Sequence, residues 1–458
     1  MFLVFEFFEE KVMTAFLNTP VSEGPPNRSV VDDDIYKFIM LQFILRFYPD
    51  VQVKFSLINR DKKIPLGDVV SEHELRAAFD HARTLRFGPR VKDTNIAYMR
   101  GMRMHQQVMF DEPYFEFLEH FELPPYELSR VGNQYAMSSS GPWSRATFWE
   151  IRMMQIPVEL YYRELMRRMT PIEREVLYSR ATDRIYKELS KLSNSKYKPK
   201  VVNFGTRRRH SFLWEKFVTA MCKEVLGDQL IGTSNIWMAH HFNLVPMGTN
   251  AHELPMVATA IAKGDDAKRR AQYQVLEQWQ KLYGVFLRIC LPDTFGTKQF
   301  LANAPEWLAD WRGFRDDSGD TFENIEGYID WYKERGILKP KEAGKIVIPS
   351  DGENADHALK VCEAFDEHIN LSFGIGTNLT NAFFGCHPTP DKKVPGLDVT
   401  WAEAFRPFSI VAKVEEADGN PVVKLSNNIT KATGPKDAVA ESVRIFGGEG
   451  RIKQRVVV

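Results

Sequence analysis

A histidine that follows a short apolar run and opens a helix is placed to attack phosphorus, and His252 in Met247-Gly248-Thr249-Asn250-Ala251-His252-Glu253 is such a residue. Helix N-terminal amides stabilise anions, and an imidazole there can carry a phosphoryl group as phosphohistidine. Asp293, after the next apolar run, is the group to hold the other ring nitrogen. A purely structural histidine is the plain alternative. In Arg315-Asp316-Asp317-Ser318-Gly319-Asp320, Arg315 offers a planar fork to phosphate or pyrophosphate. Asp317 and Asp351 can accept hydrogen bonds from ribose hydroxyls. An acidic surface turn is the competing reading of that segment. Gly374-Ile375-Gly376-Thr377 can present backbone N–H groups and a hydroxyl to a phosphate, or be only a tight turn. Phe204 beside Arg207 suits a flat aromatic ring bearing a carboxylate, unless the phenylalanine belongs to the core. Gly232-Thr233-Ser234-Asn235 closes another strand-like run. No G-x-x-x-x-G-K-[ST] segment occurs, so any use of ATP cannot rest on a P-loop.

These segments need a scaffold that brings them together. Between about residues 200 and 380, short apolar runs alternate with amphipathic helices, the pattern of parallel β/α architecture. The expected strands are VVNF, QLIG, NLVPM, VFLRIC, GFR, KIVIP and NLSF. Seven approach the eight of a closed barrel, so an irregular (β/α) barrel is preferred to an open doubly wound sheet. In such a barrel the loops after the strands form one active face, and each polar segment above stands in one of those loops. Before it, DDDIYKFIMLQFILRFYP reads as an amphipathic helix capped by an Asp, QVKFSLINR as a strand, and 72 to 86 and 158 to 192 as helices. After it, FSIVAKVEE, a turn at Asp418-Gly419-Asn420 and PVVKLSN read as a β-hairpin. The expected division is an N-terminal extension at 1–27, an N-terminal α+β domain at 28–150, the barrel at 151–400, and a C-terminal hairpin and tail at 401–458.

Composition narrows the function class. The chain has 458 residues, 60 Lys and Arg against 60 Asp and Glu, and four cysteines without a C-x-x-C pair. Zero formal charge argues against a nucleic-acid or acidic-membrane partner, even with the Arg207-Arg208-Arg209-His210 run. The cysteine spacing fits a reducing, cytoplasmic setting rather than a disulfide framework or a structural zinc. The opening MFLVFEFFEE lacks the basic flank of a signal peptide.

Taken together, NFGTRRRHS, IGTSN, PMGTNAHE, FRDDSGD, SDG and SFGIGTNLTN resemble the bacterial nicotinate phosphoribosyltransferases, and the likeness runs from Asp34-Ile35-Tyr36-Lys37 through SGPWSRATFWE to Val423-Lys424-Leu425-Ser426. The resemblance implies a type II phosphoribosyltransferase fold, an irregular α/β barrel with an N-terminal α+β domain, working as a homodimer with shared active sites. It implies that nicotinate and phosphoribosyl pyrophosphate give nicotinate mononucleotide and pyrophosphate, coupled to ATP hydrolysis, in salvage for NAD biosynthesis. Mg²⁺ is expected, with its ligands unassigned. By the resemblance, His252 becomes phosphohistidine. Tyr36 matches a tyrosine that reaches across the dimer, so that the pyridine lies between it and Phe204 of the other subunit. Arg207, Arg315, Asp317, Asp351, Gly374, Gly376 and Lys424 match positions holding phosphates and ribose, and Thr233 and Thr377 fall within the same motifs. Nicotinamide-using relatives carry an aspartate at the position of Ser234. A hydroxyl there tolerates a substrate carboxylate that an aspartate would repel. The alternatives are a nicotinamide or quinolinate phosphoribosyltransferase of this fold, another sugar-phosphate barrel enzyme such as an aldolase, and a non-catalytic nucleotide-sensing scaffold. The aldolase would typically need a lysine or an acid/base carboxylate pair, and the strand ends show no lysine.

Overall fold

The computed structural model describes residues 24–61, 63–104, 107–407 and 409–448. Most of the expected N-terminal extension and the end of the C-terminal tail lie outside the described residues.

In the N-terminal part, strand β1 (Gln52–Asn59) follows helix Ile35–Phe47. A small hairpin of β2 (Arg103–Met104) and β3 (Gln107–Val108) stands apart, and β4 (Glu127–Val131) and β5 (Gln134–Pro142) follow. The helix Ile35–Phe47 was expected to be amphipathic, but every residue from Ile35 to Ile44 is buried. Its IYKFIMLQFI run is apolar on nearly every face, which suits a helix enclosed on all sides. Asp34 precedes it in extended conformation without capping it through its side chain. Other helices start by local rule. Ser71 accepts from the Glu74 N–H ahead of Glu72–Thr84, and Thr170 and Glu173 make a reciprocal capping box ahead of Pro171–Asn194.

The parallel strands are β6 (Lys200–Asn203), β7 (Leu230–Thr233), β8 (Ile289–Cys290), β9 (Gly313–Asp316), β10 (Ile346–Pro349) and β11 (Asn370–Ile375). They lie in the order β7-β6-β11-β10-β9-β8. The seventh expected strand, NLVPM, is reduced to a single bridge between Thr233 and Pro246. In VFLRIC, Val285–Leu287 forms a 3₁₀ turn and only Ile289–Cys290 is strand. The Asn250 amide reaches the Ile289 carbonyl at 3.2 Å, so a side chain spans the gap between the two ends of the sheet. The barrel is therefore irregular and incompletely hydrogen-bonded.

The C-terminal segment returns to the first sheet. Strand β12 (Ile410–Ala417) pairs antiparallel with β1, from Val53 opposite Ala417 to Asn59 opposite Ile410. The expected hairpin is shorter than its sequence suggested, because β13 is only Asn420–Pro421. Beyond it the chain leaves the sheet, and the N–H groups of Leu425 and Ser426 donate to the Thr294 carbonyl in the barrel. That detour carries Lys424 to the strand ends.

A buried ion network ties the two parts together. Arg209 is fully enclosed and pairs through both terminal nitrogens with Asp32 (2.7 and 2.8 Å), with Glu215 at 2.8 Å and with the Pro26 carbonyl. The Arg207-Arg208-Arg209-His210 run is thus not a surface patch, since Arg209 and His210 are both core residues. Arg209→Met would leave two buried carboxylates without their cation. It is expected to destabilise the fold by about 3–5 kcal/mol, seen as a lower urea midpoint with an unchanged slope.

Candidate active site

The strand ends of the barrel open into a cavity of about 230 Å³. The antiparallel sheet covers it with Phe55 of β1 and Val411 to Val414 of β12. Tyr36, Phe204, Arg207, Ser234, His252, Arg315, Asp317, Asp351, Gly376, Thr377 and Lys424 all line it. Residues far apart in the chain therefore meet in one place, as the loop positions predicted. Three expected residues do not line the cavity. Thr233 is enclosed, with its hydroxyl directed at the Asn203 carbonyl. Gly374 lies beneath Phe204, where an added Cβ would come 2.4 Å from the ring, so this glycine makes room for an aromatic face rather than binding phosphate itself. Asp293 is buried behind His252.

One group of lining residues is aromatic and carries mixed charge. The Ile35 N–H donates to the Ser234 carbonyl at 2.7 Å, which sets the start of the first helix on the end of β7. Gly248 packs against the same turn, where a Cβ would stand 3.1 Å from the Tyr36 nitrogen. These contacts bring Tyr36 and Phe204 to the cavity from one chain, whereas the resemblance implied a tyrosine supplied by a second subunit. The Arg207 side chain keeps 40% of its surface exposed. Ser234 gives its hydroxyl hydrogen to Asp34 Oδ1 at 2.5 Å, leaving a lone pair rather than a donor for a ligand. Burial pushes the Asp34 carboxyl up, partly offset by Arg207 and by the Ser234 hydroxyl.

A second group gathers around His252, the residue immediately before helix Glu253–Ile261. Its Nε2 lies 2.6 Å from Asp293 Oδ1, and Ser318 donates to Asp293 Oδ2 at 2.6 Å. Lys424 Nζ lies 3.0 Å from His252 Nε2 and 3.5 Å from Asp293 Oδ2. A neutral imidazole nitrogen either donates or accepts in its plane, so Nε2 cannot serve both partners. Burial alone would push Asp293 up, but His252 and Lys424 hold it well below the usual carboxylate range. An ionised Asp293 assigns the hydrogen to Nε2 and leaves the Nδ1 lone pair free. Burial pushes the His252 imidazole down, with Asp293 opposing, which favours that neutral tautomer. Asp317 Oδ2 stands 3.7 Å from Nδ1. Burial raises the Asp317 carboxyl, yet Arg315, His252 and Lys424 together bring it down to about 2.

Ligand atoms of His252, Asp293 and Asp317 lie within 4.8 Å of one another. The donor set does not make a ready cage for a dication, because Lys424 already neutralises it and Ser318 occupies an Asp293 oxygen. Asp317 facing the cavity fits Mg²⁺ better, since that ion is commonly held by one or two carboxylates with substrate phosphates completing its shell.

Sequence reasoning missed Asp34, Arg60, Glu150, Arg208, Lys413 and Lys431, which also line the cavity. Lys431 pairs with Asp351 at 2.6 Å, and burial pushes the Lys413 ammonium well down, with Lys424 and Arg60 adding to the effect. The absence of lysine at the strand ends, used to set aside a Schiff-base enzyme, thus does not hold for the cavity. Lysines enter from the C-terminal segment instead. Their clustering with Arg60, Arg208 and Arg315 is the signature of a polyanion site, and no local period of the sequence marks it.

The profile of the nicotinate phosphoribosyltransferase (NAPRTase) family matches residues 199–448, and that of its N-terminal domain matches residues 31–156. The solved nicotinate phosphoribosyltransferase of Vibrio cholerae is 30% identical, with 94% of this chain and 96% of that one covered and a TM-score of 0.78. That of Porphyromonas gingivalis is 26% identical over 92% of this chain and all of its own, with a TM-score of 0.75. A Saccharomyces cerevisiae structure, 24% identical over 93% of this chain and 99% of its own with a TM-score of 0.77, shares the fold.

Proposed function

The chain belongs to the nicotinate phosphoribosyltransferase family, and from that premise we propose that it joins nicotinate to phosphoribosyl pyrophosphate, coupled to ATP hydrolysis through His252. The observation that carries this reading is the make-up of a single cavity, which Tyr36, Phe204 and Arg207 line together with His252, Arg315, Asp317 and Lys424. A planar heterocycle with a carboxylate suits the first three, and a sugar polyphosphate suits the others.

In this reading the Nδ1 lone pair of His252 attacks the γ-phosphorus of ATP, the bond to the bridging oxygen breaks, and ADP leaves. The pyridine nitrogen attacks C1 of the ribose as the bond to pyrophosphate breaks, with positive charge building on the sugar. Asp317 and Asp351 face that charge, while Tyr36 and Phe204 hold the ring for in-line attack. Arg315, Lys424 and Lys431 receive the leaving pyrophosphate. Hydrolysis of the phosphohistidine returns the free imidazole and inorganic phosphate. The histidine-borne phosphate adds about two negative charges beside the cavity, and its presence or absence would set affinity for substrate and product. Mg²⁺ bound at Asp317 would neutralise phosphate charge.

The product would enter NAD biosynthesis by salvage of the free base. Four free, buried cysteines support a reducing compartment, here proposed as the cytoplasm. Among the described residues no helix is long and apolar enough to cross a membrane. The homodimer is retained as a proposal, to be checked by sedimentation, although one chain brings Tyr36 and Phe204 together.

The decisive assay combines the protein with phosphoribosyl pyrophosphate, Mg²⁺ and each of nicotinate, nicotinamide and quinolinate, with and without ATP. Pyrophosphate and ADP are followed. Nicotinate should be the acceptor and ADP release should accompany its use. No turnover with nicotinate under any condition would refute the substrate assignment, and ligand binding without turnover of any base would favour a sensing scaffold.

A further inference from the structure

Lys37 follows Tyr36 in the first helix, yet it is completely buried and does not line the cavity. Its ammonium is clasped between two carboxylates. It pairs with Glu150 on one side and with Glu253 Oε2 at 2.5 Å on the other, and donates to Thr147 Oγ1 at 3.0 Å. Glu253 has further donors, Trp143 Nε1 at 2.5 Å and Thr147 Oγ1 at 2.7 Å. Glu150 looks the other way, into the cavity. It accepts from the Tyr36 hydroxyl at 3.3 Å and stands 3.9 Å from Arg207 Nη1.

That last distance is the informative one. A carboxylate and a guanidinium free to approach one another settle at about 2.7–2.9 Å, often through two parallel hydrogen bonds. Glu150 and Arg207 are neighbours without such a bond, because Lys37 holds the carboxylate. We infer that Lys37 is a positioning residue for substrate selection: by keeping Glu150 off Arg207, it leaves that guanidinium free for the carboxylate of the incoming base. The inference rests on the proposed reading of the substrate as a pyridine carboxylate.

Removing the ammonium would leave two neighbouring buried carboxylates, and one of them must take up a proton. Burial pushes Glu253 up, with Lys37 opposing, whereas Lys37 and Arg207 outweigh burial at Glu150 and hold it down. Arg207 stands beside Glu150 and favours its charged form, so Glu253 is the group to become neutral. Glu150 keeps its charge, loses its restraint and turns to the nearest cation, Arg207. Nicotinate would then compete with an internal carboxylate for the guanidinium, while phosphate binding would be unaffected.

Calorimetric titration of the full chain with nicotinate, and separately with inorganic pyrophosphate, tests this. Lys37→Met is expected to weaken nicotinate about tenfold, the equivalent of one weakened charge-assisted hydrogen bond, with pyrophosphate affinity unchanged. Glu150→Gln, which still accepts from Tyr36 but no longer competes for Arg207, is expected to bind nicotinate at least as tightly as the wild type. The double variant is expected to regain the affinity that Lys37→Met loses, a rescue that a merely structural lysine would not show. Unchanged nicotinate affinity in Lys37→Met, parallel loss of pyrophosphate binding, or no rescue in the double variant would overturn the inference. Should Lys37→Met fail to fold, weaker nicotinate binding by Glu150→Gln alone would overturn it, and equal or tighter binding would support it. If the wild type binds no nicotinate, the substrate reading falls and takes this inference with it. If the wild type binds and Lys37→Met binds equally well, only this inference falls.

Discussion

His252→Ala is expected to reduce ATP hydrolysis to background and to make the rate of nucleotide formation the same with and without ATP. The argument is geometric. Asp293 takes the Nε2 hydrogen at 2.6 Å, Ser318 fixes the other carboxylate oxygen at 2.6 Å, and the free Nδ1 lone pair faces the cavity beside Asp317. The lysines that line the cavity are the competing nitrogens, and burial pushes Lys413 down as well, so the variant tests His252 against them. Coupling between two sites is typically worth 1–3 kcal/mol, so nicotinate use in the presence of ATP should fall on the order of tenfold to a hundredfold at low substrate. The measurement is ADP and nucleotide release at matched concentrations. Persistent stimulation by ATP in the variant would remove the phosphohistidine from the scheme. A pH dependence accompanies it. The nucleophile must be neutral, and burial lowers the His252 pKa. ATP hydrolysis by the wild type should therefore persist as the pH falls through about 6.5, the ordinary value for a histidine, where an exposed imidazole would already be protonated.

The parts of this site that could be read from the chain's own pattern follow apolar runs of the barrel region, whereas Tyr36 and Lys424 were read only by resemblance. His252, Arg315, Asp317, Asp351 and Thr377 follow apolar runs closely, so a β/α alternation is enough to place them on a common face. Gly374 was legible as a motif, but the close approach of the Phe204 ring over it was not. The covering wall was not legible at all. Lys413 and Val414 reach the cavity because β12 pairs with β1 from the other end of the chain, and a strand pattern carries no record of its distant partner. Lys37 was hidden for another reason. In a helix buried on all sides, an apolar period cannot single out a charged residue that two distant carboxylates neutralise. Ser234 shows the limit of comparing residue types one at a time. Its hydroxyl was read as the replacement for a carboxylate, yet Asp34 supplies a carboxylate 2.5 Å away. Tolerance of nicotinate must therefore come from the balance between Asp34 and the exposed guanidinium of Arg207.

That balance makes Ser234→Asp the sharpest test of specificity. The new carboxyl would stand within hydrogen-bonding reach of Asp34, in a place where burial already pushes Asp34 up. Two buried carboxyl groups at such a distance share one proton and titrate as a pair. The shared proton would lie between them, and the outward oxygens would be acceptors bearing negative charge. A carboxylate on the incoming ring would meet that charge directly, while Arg207 would be drawn toward the acidic pair. Juxtaposed like charges cost several kcal/mol, so nicotinate use should fall on the order of 10²- to 10³-fold. The same oxygens would accept from an amide N–H, so nicotinamide should be lost far less or gained. The ratio of kcat/KM for the two bases reads the effect directly, and normal pyrophosphate binding by the variant would show that the fold and the phosphate-binding residues survive. If both bases lost equally, selection would have to lie elsewhere in the cavity, and the pairing of Ser234 with Asp34 would be a packing contact without influence on which base is chosen.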